Sequence, residues 1–249
     1  MAYALGLDWI RRGNGWAYCR IENGECSFGK LLPGSEASDL VAHAEAIVVD
    51  TPIGLPDSAE KASTSRPCDR GARMWVGPHI QHSVFSVPRF AEYQHHKSGG
   101  EWRGGHARGL LPAILSGQLI VDCNPKTFES HPEVVFAALI GQPLPPFARK
   151  REMVGSLVRL GVLSRTLGHP APLPIESSFN VDFIDATAMA VVARDWRSLR
   201  VIRNSQGDPE PLGEERRNQI ALPATEKDAR GKPACTLERV RELARMWSI

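Results

Sequence analysis

The sequence predicts an α/β protein in which a mixed five-stranded sheet is flanked by helices. Three short β-type segments, separated by tight-turn signals, open the chain and predict an antiparallel three-strand meander. A short helix and the wholly apolar segment 46–49 come next, an order typical of a crossover to a buried parallel strand. A further strand is expected at 127–131, and helical patterns alternate with it on both sides.

The meander is expected to consist of strands at 3–10, 16–21 and 26–32. The dipeptide Asn23-Gly24 suits a type I′ turn between the second and third strands. Ser35 or Ser38 can then cap a short helix that runs to residue 44. A right-handed crossover returns strand 46–49 parallel to the first strand and beside it. Asp8 and Asp50 should therefore meet at one edge of the sheet, where open α/β sheets bind ligands.

The chain is expected to form one domain over residues 1–249, with a long loop and helical insertion at about 51–125 and a C-terminal extension at about 224–249. The insertion is rich in Pro, Gly, Ser, His and Arg, and irregular segments of this length are usually functional or disordered. Helices are predicted at 68–76, 111–121, 132–139, 152–167, 181–194 and 237–246.

Composition excludes several classes of protein. Lys and Arg number 30 against 28 Asp and Glu, a balance too even to establish a nucleic-acid partner. The five cysteines form no C-x-x-C pair, which argues against a zinc or redox motif and for free thiols. No apolar run approaches the roughly 20 residues of a membrane span, and the N-terminus lacks signal-peptide features, so a cytoplasmic protein without a membrane partner is expected. Glycine-rich nucleotide loops and a G-x-S-x-G elbow are also missing from the sequence.

Acidic residues at the ends or on the buried faces of apolar elements are the main candidates for chemistry. They are Asp8, Asp50, Glu129 and Asp185, with Asp182 as a fifth. A buried carboxylate can also be a helix cap or the partner of an arginine, and Asp182 fits the first of these roles. Carboxylates without histidine or thiolate ligands suit Mg²⁺ or Mn²⁺. A pair of such ions can cleave a phosphodiester.

Six stretches of the chain, taken in order, resemble the DUF429 family, a group of predicted ribonuclease H-like nucleases. They lie at residues 6–8, 49–56, 66–73, 83–89, 128–136 and 182–186. The blocks D-T-P-I-G-L-P, R-P-C-D-R-G-A-R and E-S-H-P-E are together specific for this family, although no single block is specific by itself. In one departure, the bulky Trp9 follows Asp8 where the family commonly has a small residue and then an arginine-glycine turn, which affects the expected geometry of the strand end.

The resemblance implies a ribonuclease H-like fold with a metal-dependent active site. It makes four acids both catalytic and metal-binding: Asp8, Asp50, Glu129 and Asp185. It also implies a substrate-binding patch made of Arg66, Asp69 and Arg73, in which the arginines hold phosphate. His131 would either position a nucleophilic water or hydrogen-bond the backbone before Pro132.

The expected function is a Mg²⁺- or Mn²⁺-dependent nuclease or phosphodiesterase, acting on nucleic acid or on a phosphorylated small molecule. One alternative is a non-catalytic nucleotide- or nucleic-acid-binding module with the same fold. Another is a relative of the actin-like ATPases, because Gly6-Leu7-Asp8 resembles the start of those folds too. The chain leaves little room for their second domain and lacks phosphate-loop glycines, so this last alternative is disfavoured.

Overall fold

A computed structural model describes residues 2–10, 15–53, 66–84, 87, 110–145, 149–172, 180–212 and 219–223. The predicted helix at 237–246 and the extension from about 224 lie outside these residues, as does much of the predicted insertion. The prediction of one domain therefore stays a prediction. Within the described ranges, no helix has both the length and the apolar character that a membrane span requires.

The main sheet has five strands in the order β3-β2-β1-β4-β5. The strands are β1 (Ala4–Ile10), β2 (Gly15–Glu22), β3 (Glu25–Leu31), β4 (Ala46–Val49) and β5 (Thr127–Glu129). The first three are antiparallel neighbours, and β4 runs parallel to both β1 and β5. The predicted fold class is thus confirmed, and the arrangement is consistent with a ribonuclease H-like fold. Asn23 and Gly24 take positive φ angles of 53° and 84° in the β2–β3 turn, as a type I′ turn requires.

The described helices flank this sheet. They are α1 (Asp39–Ala42), α2 (Pro67–Val76), α3 (Leu111–Cys123), α4 (Pro132–Ile140), α5 (Met153–Leu167) and α6 (Asn180–Arg194). Apart from α1, which is shorter than expected, they begin and end within two residues of the predicted bounds. Proline stands in the first turn of α2, α3 and α4, where its missing N–H removes no helical hydrogen bond.

The two faces of the sheet have separate cores. Val48 and Phe128 belong to the core on one face, which also contains much of α6, whereas Val49 belongs to the core on the other face together with Ile120 of α3. Gly6 lies directly under α6, and a Cβ at this position would overlap the carbonyl oxygen of Ala186. Glycine in a strand allows this close approach of a helix backbone.

A second, three-stranded antiparallel sheet was not predicted. Its strands are β6 (Arg200–Ile202), β7 (Glu210–Pro211) and β8 (Ile220–Leu222), in the order β7-β6-β8. Strands of two or three residues are too short for their hydrophobic periodicity to be recognised. The Ser130 hydroxyl, just after β5, donates a hydrogen bond of 2.6 Å to the carbonyl of Ala221 and so joins the two sheets.

Candidate active site

Asp8 and Asp50 meet at the ends of two parallel neighbouring strands. The Asp50 amide donates to the carbonyl of Leu7 at 2.9 Å, which extends the pairing of β4 with β1 by one residue. Side chains alternate between the faces of a sheet, so Asp8 shares the face of Gly6, and Asp50 shares the face of Val48. Both carboxyl groups therefore lie on the α6 side. Trp9 points to the opposite face, where it packs edge-on against Trp16 with ring centroids 5.1 Å apart, so its bulk does not displace Asp8.

The two carboxyl groups are coupled. Asp8 is 4% exposed, and its pKa is raised well above the usual range, first by burial and then by the charge of Asp50. The pKa of Asp50 is also raised, chiefly by burial, even though Asp8 hydrogen-bonds to it. Carboxyl groups in such contact can share one proton, and a cation can take the place of that proton.

Asp185 faces this pair from α6 and is already bound by two cations. Its Oδ2 accepts from Lys150 Nζ at 2.7 Å, and its Oδ1 accepts from Arg159 Nη1 at 3.0 Å. Asp182 lies one turn earlier on the same helix and is only partly buried. The pKa of Asp182 is raised by burial and by the charge of Asp185.

Lys150 is the central cation of this group. It lies in the turn before α5, and its side chain is 33% exposed. Burial alone would lower its pKa, but the surrounding carboxylates outweigh burial and raise it well above the usual range. These carboxylates are Asp185, Glu133, Asp8 and Asp50. Lys150 therefore stays charged and faces both the Asp8–Asp50 pair and Asp185.

His131 and Glu133 complete the group at the N-terminus of α4. His131 Nδ1 lies 3.0 Å from Glu133 Oε2, and Nε2 lies 3.0 Å from the carbonyl oxygen of Ser83. Burial alone would lower the His131 pKa, but the charges of Asp50 and Glu133 raise it to about 9. An imidazolium carries a proton on each ring nitrogen and so cannot take a further proton from water. The backbone group that His131 contacts is that of Ser83, which the sequence did not indicate.

Glu129 projects to the other face of the sheet. It pairs with Val49 across β4 and β5, and paired residues share a face, so its side chain lies on the α3 side. There its Oε2 accepts from the Ile53 amide at 2.6 Å and from Arg66 Nη1 at 2.8 Å. The Glu129 pKa is raised to about 6, primarily by burial, with Arg66 acting in the opposite direction. The structure thus brings Asp8, Asp50 and Asp185 together and places Glu129 on the opposite face of the sheet, whereas the expected roles of the four acids stay predictions.

The predicted substrate-binding patch is largely an internal network. Arg66 is 1% exposed and lies between Glu129 and Asp69, whose Oδ1 accepts from Arg66 Nη2 at 2.7 Å. Asp69 also accepts from the Arg66 amide and so caps the start of α2. Arg73 donates through Nε to the carbonyl of Val84 at 2.9 Å. Arg66 and Asp69 are therefore not placed at the surface, where a substrate phosphate would bind, because each satisfies a buried charge.

Sequence reasoning missed Lys150, Arg159 and Glu133 as members of the centre. For Arg159 there was a usable signal, because it lies on the same side of an amphipathic helix as Val158, Val162 and nearby apolar residues. A charged residue on an apolar helix face needs a buried partner of opposite charge. Lys150 carried no such signal, since it stands between two other basic residues in a turn.

The residues that could hold a metal ion are fewer than expected. In the part of the chain that the structure describes, no group of three or more His, Cys, Asp or Glu side chains is arranged to hold one. Asp185 has both oxygens bound to protein cations, whereas Asp8 and Asp50 contact each other. Mg²⁺ often uses only one or two carboxylates and completes its coordination with water and substrate phosphate. The Asp8–Asp50 pair thus fits one hard divalent ion.

Comparison with protein families gives one match. The model described as "Protein of unknown function (DUF429)" matches residues 6–209. Comparisons with curated proteins and with solved structures gave no match.

Proposed function

The chain belongs to the DUF429 family, and we propose that it is a Mg²⁺- or Mn²⁺-dependent phosphodiesterase or nuclease whose centre is the Asp8–Asp50 pair. The observation that carries this proposal is the contact between the carboxyl group of Asp8, which is buried, and that of Asp50, which is half-buried, at adjacent strand ends. The pKa values of both groups are raised. A divalent cation between them would replace the shared proton and relieve their repulsion.

The residues around the pair suit a phosphate substrate. Asp8 and Asp50 would hold the ion, which when bound supplies an activated water and polarises a phosphoryl oxygen. Lys150 is the most exposed of the three neighbouring cations and can offer its ammonium group to a substrate oxygen. Arg159 holds Asp185 and Glu133 in place from the interior. A nucleic acid or a phosphorylated small molecule is the proposed partner.

The experiment is a cleavage and binding assay on Asp8→Asn and Asp50→Asn, with Asp122→Asn as the control. Asp122 is an exposed acid on α3, away from the centre. Wild type and the control should bind Mn²⁺ in calorimetry and cleave a single-stranded oligonucleotide or bis(p-nitrophenyl) phosphate. We expect the two centre variants to lose Mn²⁺ binding and at least about 100-fold of the rate, as when a charge-stabilising group is removed. Absence of Mn²⁺ binding to wild type, with thermal stabilisation in both centre variants, would refute the proposal.

A second candidate is a non-catalytic module that binds nucleic acid. It is favoured by the pairing of Asp185 with Lys150 and Arg159, which leaves one acid fewer for catalysis. Oligonucleotide affinity that survives Asp50→Asn, without cleavage by wild type, would support this candidate over the first.

A further inference from the structure

The charges of the centre are unequal in number. Five carboxylates come together: Asp8, Asp50, Asp182, Asp185 and Glu133. Among the described residues, three cationic groups face them: Lys150, Arg159 and the His131 imidazolium.

Asp185 is the acid that a second ion would need. In two-ion phosphodiesterases the metals lie about 3.5–4 Å apart, and besides a shared carboxylate the second ion requires ligands of its own. Lys150 and Arg159 occupy separate oxygens of Asp185, at 2.7 and 3.0 Å. Arg159 is 1% exposed and also binds Glu133 at 3.2 Å, so it cannot turn away to free either acid.

Lys150 differs from Arg159 in its position. Its Nζ binds Asp185 at 2.7 Å, its charge also acts on Asp8 and Asp50, and its side chain reaches solvent. A lysine ammonium is a compact charge with three donors, able to bind Asp185 and a phosphate oxygen together. It therefore lies beside the Asp8–Asp50 pair on the side where the second ion of a two-ion centre would bind Asp185.

We propose that the Lys150 ammonium occupies the second cation position of this centre, so that the protein binds one divalent ion, at Asp8 and Asp50. The inference rests on the proposed function for the presence of that ion. It adds that Lys150, which is partly exposed, would contact the substrate phosphate through its ammonium group.

The test counts Mn²⁺ ions per chain by calorimetry and examines them by electron paramagnetic resonance. The variants are Lys150→Met, Lys150→Arg and the control Arg151→Met, which removes an exposed charge from the same turn. Wild type, K150R and R151M should bind one ion with the spectrum of isolated Mn²⁺. K150M should bind a second ion, with the broadening caused by two neighbouring Mn²⁺ centres. The double variant K150M/D185N should return to one ion, because it lacks the carboxylate that the second ion would use.

The outcomes separate the two proposals. Two ions in wild type would overturn the role of Lys150 and leave the metal-dependent function intact. One ion in K150M, at unchanged affinity and with the fold intact by thermal unfolding, would also overturn that role. If K150M does not fold, K150M/D185N, which removes both charges of the pair, is compared with D185N alone. In that comparison, a lower Mn²⁺ affinity in the double variant would overturn the inference, and an equal or higher affinity would support it. No ion in wild type would refute the proposed function itself.

Discussion

Replacing Arg66 by methionine tests whether the buried network on the α3 side is structural. Arg66 is 1% exposed and binds Glu129 and Asp69, each of which is itself buried. Methionine keeps much of the side-chain volume but removes the charge and all five donors. Two carboxylates would then lie in the interior without the cation that binds them both.

The expected loss of stability is large. Removing one partner of a buried ion pair costs about 3–5 kcal/mol, because the remaining charge is left uncompensated. A domain is stable by about 5–15 kcal/mol in total, so the variant should be close to its unfolding threshold. The loss should depend on pH. The Glu129 pKa is already raised to about 6 with Arg66 present, and it should rise further without it. When the pKa of a carboxyl group is raised in the folded state, stability falls as the pH rises through that pKa. R66M should therefore be less stable at pH 8 than at pH 5.

The assay is urea unfolding followed by tryptophan fluorescence, with R66M compared with wild type and with the exposed-site variant R151M. The double variant R66M/E129Q removes one of the orphaned charges and should recover at least about 1 kcal/mol relative to R66M. With the single variant E129Q, these measurements complete the cycle that gives the coupling of the pair. A change below about 1 kcal/mol in the free energy of unfolding of R66M, together with weaker binding of a phosphate ligand, would refute the structural role. It would instead support a role of Arg66 in substrate binding.

Two further predictions concern titratable groups. His131 should lose a stabilising charge as pH rises from about 6.5 through its pKa of about 9, at a cost of up to about 3 kcal/mol. Thermal unfolding in EDTA should show this decline in wild type and not in H131N; equal slopes in both would contradict it. The pKa of Cys26 is lowered to about 7, primarily because Cys19 hydrogen-bonds its sulfur. Iodoacetamide at pH 7.5 should therefore modify Cys26 about two- to three-fold faster in wild type than in C19A, as read by mass spectrometry, whereas no loss of rate in C19A would count against the contact.

Much of the fold follows from local signals in the sequence. The Asn23-Gly24 turn, the apolar run of β4 and the prolines at helix starts each act through neighbouring residues, and their elements appear where expected. The meeting of Asp8 and Asp50 follows from one further rule, the right hand of the crossover. These two acids are therefore the part of the candidate site that sequence reasoning could reach.

Glu129 shows where such reasoning ends. A strand end fixes the edge of the sheet at which a residue lies, but the face depends on register, and a shift of one residue reverses it. Glu129 pairs with Val49, one position before Asp50, and so its side chain lies on the opposite face. The position of Lys150 could not be predicted for a different reason. The turn that carries it is brought near the sheet by the packing of α5 against α6, which is a tertiary contact.

Gly6 has a consequence for how this protein tolerates substitution. Helix α6 rests on the backbone of β1 at this glycine, so the separation between Asp8 and the acids of α6 is set by main-chain atoms that have no rotamers to adjust. Even a methyl group at position 6 would move the helix that carries Asp185. A residue without any functional group is therefore as strictly constrained as Asp8, two positions away, and a map of mutational tolerance would mark it as part of the candidate site.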